Sequence, residues 1–447
     1  MTQDDIINAA FAVWGQDLYR STSLSKLAKN LGVTKPALYR HFSGKTGLLK
    51  AMDLRFLRDY TLWYKPQLET IRSLENWQDR LLFMTRAITG YFARHFDHLI
   101  YFLVRAHGNK RRYIFNMKEV EKPDLYFSEF VQVMPADRQY PSVLFMAVIS
   151  AIFETTLFHK QRRGGAESSL CPPPSDEDLL VLTNAAAEKV RRGLDFEKGT
   201  VNSLPYEKLE ALGQPGRGEF PPGDPLLAAV AEAVAEAGPW NVSMETAAKY
   251  SGLSKSGLYA HFKSREDMFT RLVMTEFERI AAIAAARSGL SKKREERLYL
   301  AILSIADYLT VRPEILIILD WVRIQRLKLK LFVPAALHDF FSSLNLRAPG
   351  FENNRENISQ WILFLLVTIL MRRLRSQSGE SPDPMDLGCG CMADKEASAD
   401  PSGGTAGANP AIMTESAGKS EAPPAAGTDD KPFRKFYRFI TLGLEGW

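Results

Sequence analysis

Apolar residues recur with helical spacing along most of the chain, and this pattern predicts a protein made of α-helices. Near the N-terminus, Ile6, Ala9, Ala10 and Val13 share one helix face, while polar residues occupy the opposite face. No stretch shows the sustained alternation of apolar and polar residues that is typical of a half-buried strand. The predicted fold class is therefore all-α.

A glycine turn separates two short predicted helices in the first 45 residues. Ser23 and Thr34 precede these helices as predicted N-caps, and Ser43 is predicted to cap the helix that follows. Ala28 is small enough for the next helix to cross closely, and Gly32 supplies the positive φ that a tight turn requires. This order of helix, glycine turn and short helix is typical of a helix-turn-helix (HTH).

The pattern occurs a second time at a constant spacing of 220 positions, which is 259 minus 39. Residues 34–45 read TKPALYRHFSGK and residues 254–265 read SKSGLYAHFKSR, and the spacing holds without a gap from about residue 2 to residue 56. The matched pairs include Ser23/Ser243, Ala28/Ala248, Gly32/Gly252, Leu38/Leu258, Tyr39/Tyr259, His41/His261 and Phe42/Phe262. A repeat of this length indicates a duplicated domain, since solenoid units recur every 20 to 50 residues or so.

Each HTH is followed by a helical body, so the whole module is doubled. The glycine- and proline-rich stretch between the modules predicts a flexible linker. A segment from 376 to 430, rich in Gly, Ala, Pro and Ser, is predicted to be disordered because it lacks apolar residues. The predicted domains are a first HTH at 1–56, its helical body at 57–194, a linker at 195–222, a second HTH at 223–277 and its body at 278–447.

At the repeated residues the chain resembles the DNA-binding domain of the TetR family of transcriptional regulators. The resemblance implies a double-stranded DNA operator as partner, and a helical domain in each module that dimerises and binds a small-molecule effector. It implies that Lys35, Pro36, Ala37 and Tyr39 face the bases while Ser23, His41 and Lys45 contact phosphates. The second copy would use Lys255, Ser256, Gly257 and Tyr259, with Ser243, His261 and Arg265 on phosphates. Alternatively, Tyr39 and His41 only pack neighbouring helices together.

The two HTH units differ in charge. Residues 21–50 hold six Lys or Arg and no acid, a net charge of +6, whereas residues 241–270 hold four bases and three acids, a net charge of +1. Because phosphate neutralisation carries much of DNA affinity, the first HTH is predicted to bind more strongly. The units also differ at Pro36/Ser256, Ala37/Gly257 and Arg40/Ala260, so identical half-sites are not expected.

Two strongly apolar segments, 141–160 and 358–374, are candidate dimerisation surfaces, or else the buried core helices of their own modules. The first alternative gives an intramolecular pseudo-dimer on an imperfect palindrome; a homodimer with four HTH units is the competing assembly. Four aromatic or histidine residues recur at helical spacing: Tyr91, His95, His98 and Tyr101. They line a candidate effector pocket or, alternatively, belong to the hydrophobic core.

Other features limit the function. The longest apolar run, residues 361–371, is shorter than the roughly 20 residues that span a bilayer, and the N-terminus has acids where a secretory signal would be basic. Three cysteines form no disulfide framework, which favours a cytoplasmic protein. No catalytic constellation or metal-ligand set is recognised, so we expect a sequence-specific regulator, more often a repressor, without enzyme activity, metal or cofactor. The alternative is a ligand-binding or interaction protein in which only the first HTH acts on DNA.

Overall fold

The computed structural model describes residues 2–17, 24–107, 140–163, 173–213, 224–238, 242–325, 335–350, 355–377 and 432–447. Over these ranges the chain forms 19 α-helices and a 3₁₀ turn, with no strand. The all-α prediction is therefore confirmed.

The helices of the first module are α1 (Gln3–Asp17), α2 (Leu24–Asn30), α3 (Lys35–His41), α4 (Lys45–Ser73), α5 (Trp77–Arg94), α6 (Phe96–His107), α7 (Tyr140–Arg163) and α8 (Asp176–Arg192). Two short helices follow, α9 (Lys198–Asn202) and α10 (Tyr206–Gly213). The second module contains α11 (Pro225–Ala237), α12 (Met244–Tyr250), α13 (Lys255–His261), α14 (Arg265–Ser288), α15 (Arg294–Val311), α16 (Pro313–Gln325), α17 (Ala335–Ser343), α18 (Arg355–Gln377), α19 (Pro432–Leu442) and the 3₁₀ turn Gly443–Gly446.

One long helix in each module joins the HTH to its body. The helix α4 runs unbroken through the predicted boundary at 56/57, and α14 does the same at 277/278. In the first module α1 also packs against α6, and in the second α11 packs against α16. Each HTH is thus held to its body by two contacts, one along a continuous helix and one through a packed pair. The domain boundaries themselves stay predictions.

The predicted flexible linker is folded over much of its length, so that prediction is wrong for residues 198–213. The helix α10 packs on α15, where the ring centroids of Tyr206 and Tyr299 lie 5.0 Å apart. Glu210 accepts hydrogen bonds from Tyr299 at 2.9 Å and from Arg434 at 2.7 Å. The prediction relied on the many glycines and prolines of this stretch. Four of its apolar residues are nevertheless buried: Val201, Leu204, Tyr206 and Leu209.

Two predictions fall mainly outside the described residues. The last part of the linker, residues 214–222, is not described. Of the segment predicted to be disordered, 376 and 377 complete α18, and the remainder from 378 to 430 is not described.

The modules pack against each other through α7 and α18, the helices that contain the two strongly apolar segments. Trp361 donates a hydrogen bond from Nε1 to Oγ of Ser150 at 3.2 Å, and the rings of Phe153 and Phe364 lie 5.3 Å apart. By length and composition Val143–Arg162 and Asn357–Leu374 could each span a membrane, but 83% and 78% of these windows are buried in the fold. The two segments serve as core helices and also form the contact between modules.

A second contact joins the C-terminal ends of α8 and α19. Gly193 has φ +58, and a Cβ there would lie 2.6 Å from the carbonyl oxygen of Ile440. Gly443 has φ +56, and a Cβ there would overlap the carbonyl groups of Val190 and Arg191. Val190 precedes Gly193 by three positions, as Ile440 precedes Gly443. The contact is therefore reciprocal, with each glycine against the last turn of the other helix.

Candidate nucleic-acid interface

The two HTH units have the same backbone at their turns. Gly32 has φ +65 and Gly252 has φ +68, the left-handed conformation predicted for both. The N–H of Val33 donates to the carbonyl of Ala28 at 2.9 Å, and Leu253 donates to Ala248 at 3.0 Å. These bonds fix the angle between the second and third helices of each unit.

The third helices α3 and α13 present matched faces. Leu38 and Leu258 are buried, whereas Tyr39 and Tyr259 are 50% and 48% exposed. Both tyrosines are thus available to a partner and are not enclosed between helices. Their similar exposure shows that the tyrosine has the same position on the surface of both units.

Most of the predicted DNA contacts lie together on these faces. The exposed ones are Lys35, Pro36, Tyr39 and His41 in the first unit, and Lys255, Ser256, Tyr259 and His261 in the second; Ala37 and Gly257 are partly exposed. Lys45 and Arg265 are the first residues of α4 and α14. Ser243 stands at the N-cap of α12, where its Oγ accepts a hydrogen bond from the N–H of Thr246 at 3.0 Å. Ser23 lies outside the described residues.

Two capping predictions for the first unit are wrong. Thr34 occupies the N-cap of α3 but its side chain makes no capping bond, and the N-cap of α4 is Gly44 instead of Ser43. Gly44 has φ +93, and its N–H donates to the Phe42 carbonyl at 2.7 Å, so the chain turns one residue later than the serine. The second unit does use serine caps, because Ser254 accepts a bond from Gly257 at 3.0 Å.

The start of α14 is closed by its own side chains, a feature that sequence analysis missed. Ser264 at the N-cap accepts a hydrogen bond from the N–H of Asp267 at 3.1 Å, and the Asp267 carboxylate accepts one from the N–H of Lys263 at 2.9 Å. The bond from Lys263 lowers the pKa of Asp267, and Arg271, 3.2 Å away, acts in the same direction. A serine followed three residues later by an acid is the sequence signal that identifies such a cap.

Arg265 makes contacts within its own HTH unit. Its Nε donates to the carbonyl of Val242 at 2.8 Å, and its guanidinium lies 5.1 Å from the ring centroid of Phe269. This arginine ties the segment before α12 to α14. Its predicted contact with phosphate has no support from this geometry.

The predicted pocket residues form one cluster beside the first HTH. Tyr91 Oη and His98 Nδ1 lie 3.0 Å apart, and the His95 and His98 rings lie 5.4 Å apart. Tyr101 donates to Asp53 of α4 at 2.6 Å. Tyr91, His98 and Tyr101 are buried, whereas His95 is exposed. The cluster therefore fills space between α5 and α6 and reaches α4.

Helix α1 of the first HTH contacts this cluster directly. The ring of Phe11 lies 4.6 Å from that of His98 and 5.0 Å from that of Tyr101. Burial lowers the pKa of His98 and raises that of Tyr91 well above its usual range. His98, whose pKa is lowered by burial, thus lies where the first HTH meets its body.

The second module builds the equivalent position from different groups. Tyr308 follows Tyr91 by 217 positions, and its hydroxyl bonds to the buried Glu276, which aligns with Phe56. Ile315 stands 217 positions after His98. Burial raises the pKa of Asp307, the residue directly before Tyr308, to about 6. The two bodies therefore share a tyrosine but differ in the partner it bonds.

Candidate metal ligands do not cluster in the part of the chain that the structure describes. Over the described ranges no group of three or more His, Cys, Asp or Glu side chains is placed to hold a metal ion. Cys171, Cys389 and Cys391 lie outside those ranges.

Comparison with known proteins agrees with the geometry of the two HTH units. The family model for bacterial regulatory proteins of the tetR family matches residues 6–52 and again residues 226–272. These two matches cover α1 to the start of α4 and α11 to the start of α14, the two units with the glycine turn and exposed tyrosine. No curated protein matches the chain. The chain therefore carries two DNA-binding HTH domains of the tetR family in tandem, one at the start of each module.

Proposed function

We propose that this protein is a cytoplasmic, effector-responsive repressor whose two modules act as a pseudo-dimer on one imperfect palindromic operator. The observation that carries the proposal is the packing of α7 against α18 within a single chain. A symmetric dimer has one self-complementary interface. In this protein the reciprocal contact of Gly193 and Gly443 has the same self-complementary form, but it joins two halves of one polypeptide.

Recognition of two different half-sites follows from the surfaces of α3 and α13. In an HTH the N-terminal residues of the recognition helix meet base edges in the major groove. Lys35 and Lys255 are shared, but Pro36 and Ala37 of the first unit are apolar where the second has Ser256 and Gly257. Pro36 and Ala37 suit contact with a thymine methyl group, whereas Ser256 suits hydrogen bonding to a base.

Effector control is proposed for the cluster of Tyr91, His95, His98 and Tyr101. These residues contact both Phe11 of α1 and Asp53 of α4. A small molecule that displaced them would change how the first HTH sits on its body. In addition, α6 contacts α16 of the other module, and each of these two helices also packs against the first helix of its own HTH, α1 or α11. A displacement of one HTH would therefore displace the other. The distance between the two HTH units would change, and this distance must fit half-sites about 34 Å apart.

The test combines in vitro selection of DNA from a random pool with light scattering of the complex. The proposal requires a monomer of 50.3 kDa bound to one site with two unlike half-sites about one helical turn apart. Two chains on a site with four half-sites would contradict it. Repression is then measured with a reporter placed behind the selected operator, with and without candidate effectors.

The second candidate function is a ligand-binding or interaction protein that uses only its first HTH on DNA. The closed start of α14 and the hydrogen bond from Arg265 to the carbonyl of Val242 favour it. Selection would then return a single half-site instead of two.

A further inference from the structure

The first turns of α4 and α14 are corners at which the two HTH units differ in charge and in capping. Each corner directly follows a recognition helix and begins with a predicted phosphate contact, Lys45 or Arg265. Groups that flank a recognition helix, including helix N-termini, are those that hold the DNA backbone. Each corner comprises five residues, 43–47 in the first unit and 263–267 in the second.

The corner of the first unit favours an anion. Its sequence SGKTG carries one positive charge and no acid. The N-cap Gly44 has no side chain to accept a bond from the first turn of α4. A helix N-terminus bears a partial positive charge, which here is uncompensated by any acid in the first turn.

The corner of the second unit already holds an anion of its own. The Asp267 carboxylate accepts the backbone N–H of Lys263 and pairs with Arg271, and Glu266 adds a second acid in the same turn. A carboxylate at this place satisfies the helix N-terminus as a phosphate would. Lys263 and Arg265 balance these two acids, so the five residues have no net charge, whereas the corner of the first unit has a net charge of +1.

Capping alone does not require Asp267. Ser264 accepts a bond from the first turn of α14 through its own hydroxyl. The neighbouring helix α13 is capped by Ser254 with no acid in its first turn. The acid at 267 is thus additional to a cap that the second unit makes elsewhere with serine alone.

We propose that Asp267 is a specificity-determining residue that lowers the affinity of the second HTH for its half-site by occupying the position of a backbone phosphate. The proposal rests on the proposed DNA-binding function and assigns one residue the weaker binding of the second unit. Asp267 stands where the first unit has Gly47, so the two corners differ by a full negative charge at this position. Removing the charge opens the corner to one phosphate.

The experiment measures affinity for the selected operator as a function of salt for Asp267→Asn. Asparagine retains an oxygen that accepts the Lys263 N–H but carries no charge. We expect a several-fold gain in affinity and a salt slope steeper by up to about 0.9, the value for one added phosphate contact. The gain should vanish in Asp267→Asn combined with Tyr259→Ala, because the second unit then no longer engages the DNA.

Two variants serve as controls. Asp267→Glu retains the charge, and its affinity should match the wild type. Glu278→Gln changes net charge equally on an exposed position of the same helix, 11 residues further along, or about 16 Å. That distance exceeds the Debye length of about 8 Å in physiological salt, so its affinity should stay constant.

An affinity for Asp267→Asn equal to or below that of the wild type would overturn the proposal, and a lowered melting temperature would then identify the residue as a cap only. If Tyr39→Ala still abolishes binding in that case, the proposed DNA-binding function survives. Failure of the wild type to bind any selected DNA would overturn both.

Discussion

Gly443→Ala should disrupt the second contact between the modules, at the C-terminal ends of α8 and α19. Two separate costs contribute to the expected loss of stability. At φ +56 an alanine costs about 1–2 kcal/mol because its Cβ crowds the following carbonyl. The same Cβ would also overlap the backbone of Val190 and Arg191, and backbone atoms cannot rotate away as a flexible side chain can. Forcing extra volume into a closely packed contact costs about 1–3 kcal/mol more. The total loss is about 2–5 kcal/mol.

Gly252→Ala is the matched control. Gly252 has φ +68, close to the value at Gly443, but a Cβ there would have no atom within 4 Å. Only the conformational cost of about 1–2 kcal/mol applies. Guanidinium denaturation followed by circular dichroism measures both variants, and small-angle scattering reports whether the modules separate. Equal losses of stability in the two variants, with unchanged scattering, would refute the reasoning.

Three further predictions concern other contacts. Tyr39→Ala should reduce operator affinity more than Tyr259→Ala in a binding assay at one salt concentration, because the first HTH has the greater positive charge. Burial lowers the pKa of His98 below its usual 6.5, so on acidification His98 takes up a proton in the unfolded chain before it does so in the folded protein. The free energy of unfolding should therefore fall as pH drops below about 6.5. That part of the pH dependence should be absent from denaturation curves of His98→Gln. Lys189→Met should cost about 3–5 kcal/mol in the same assay by leaving the buried Glu154 unpaired, and Lys189→Met with Glu154→Leu should restore most of it.

The local features of the fold were open to prediction from sequence. Gly32 and Gly252 are recognisable because only a left-handed residue completes a turn of that length, and the constant spacing doubles the signal. The buried Leu38 and exposed Tyr39 also follow from helical periodicity. These properties depend on residues within one or two turns of each other.

Features that depend on distant partners could not be predicted in the same way. The helix α10 is stable because Glu210 meets Arg434, which lies 224 residues further along the chain. Arg265 resembles a phosphate contact by position, yet the carbonyl of Val242 decides where its guanidinium lies. For α7 and α18, sequence offered core helix or contact surface as alternatives, and packing shows that each helix is both.

The contact between α7 and α18 also bears on how the regulator behaves at low copy number. Two-subunit regulators dissociate on dilution, so their occupancy of DNA falls with the square of the protein concentration. If the two modules act as the proposed pseudo-dimer, dilution cannot separate them, because they belong to one polypeptide and face each other at a fixed effective concentration. Occupancy of the operator would then rise with the first power of the protein concentration. Each module is also free to mutate without imposing the same change on the other.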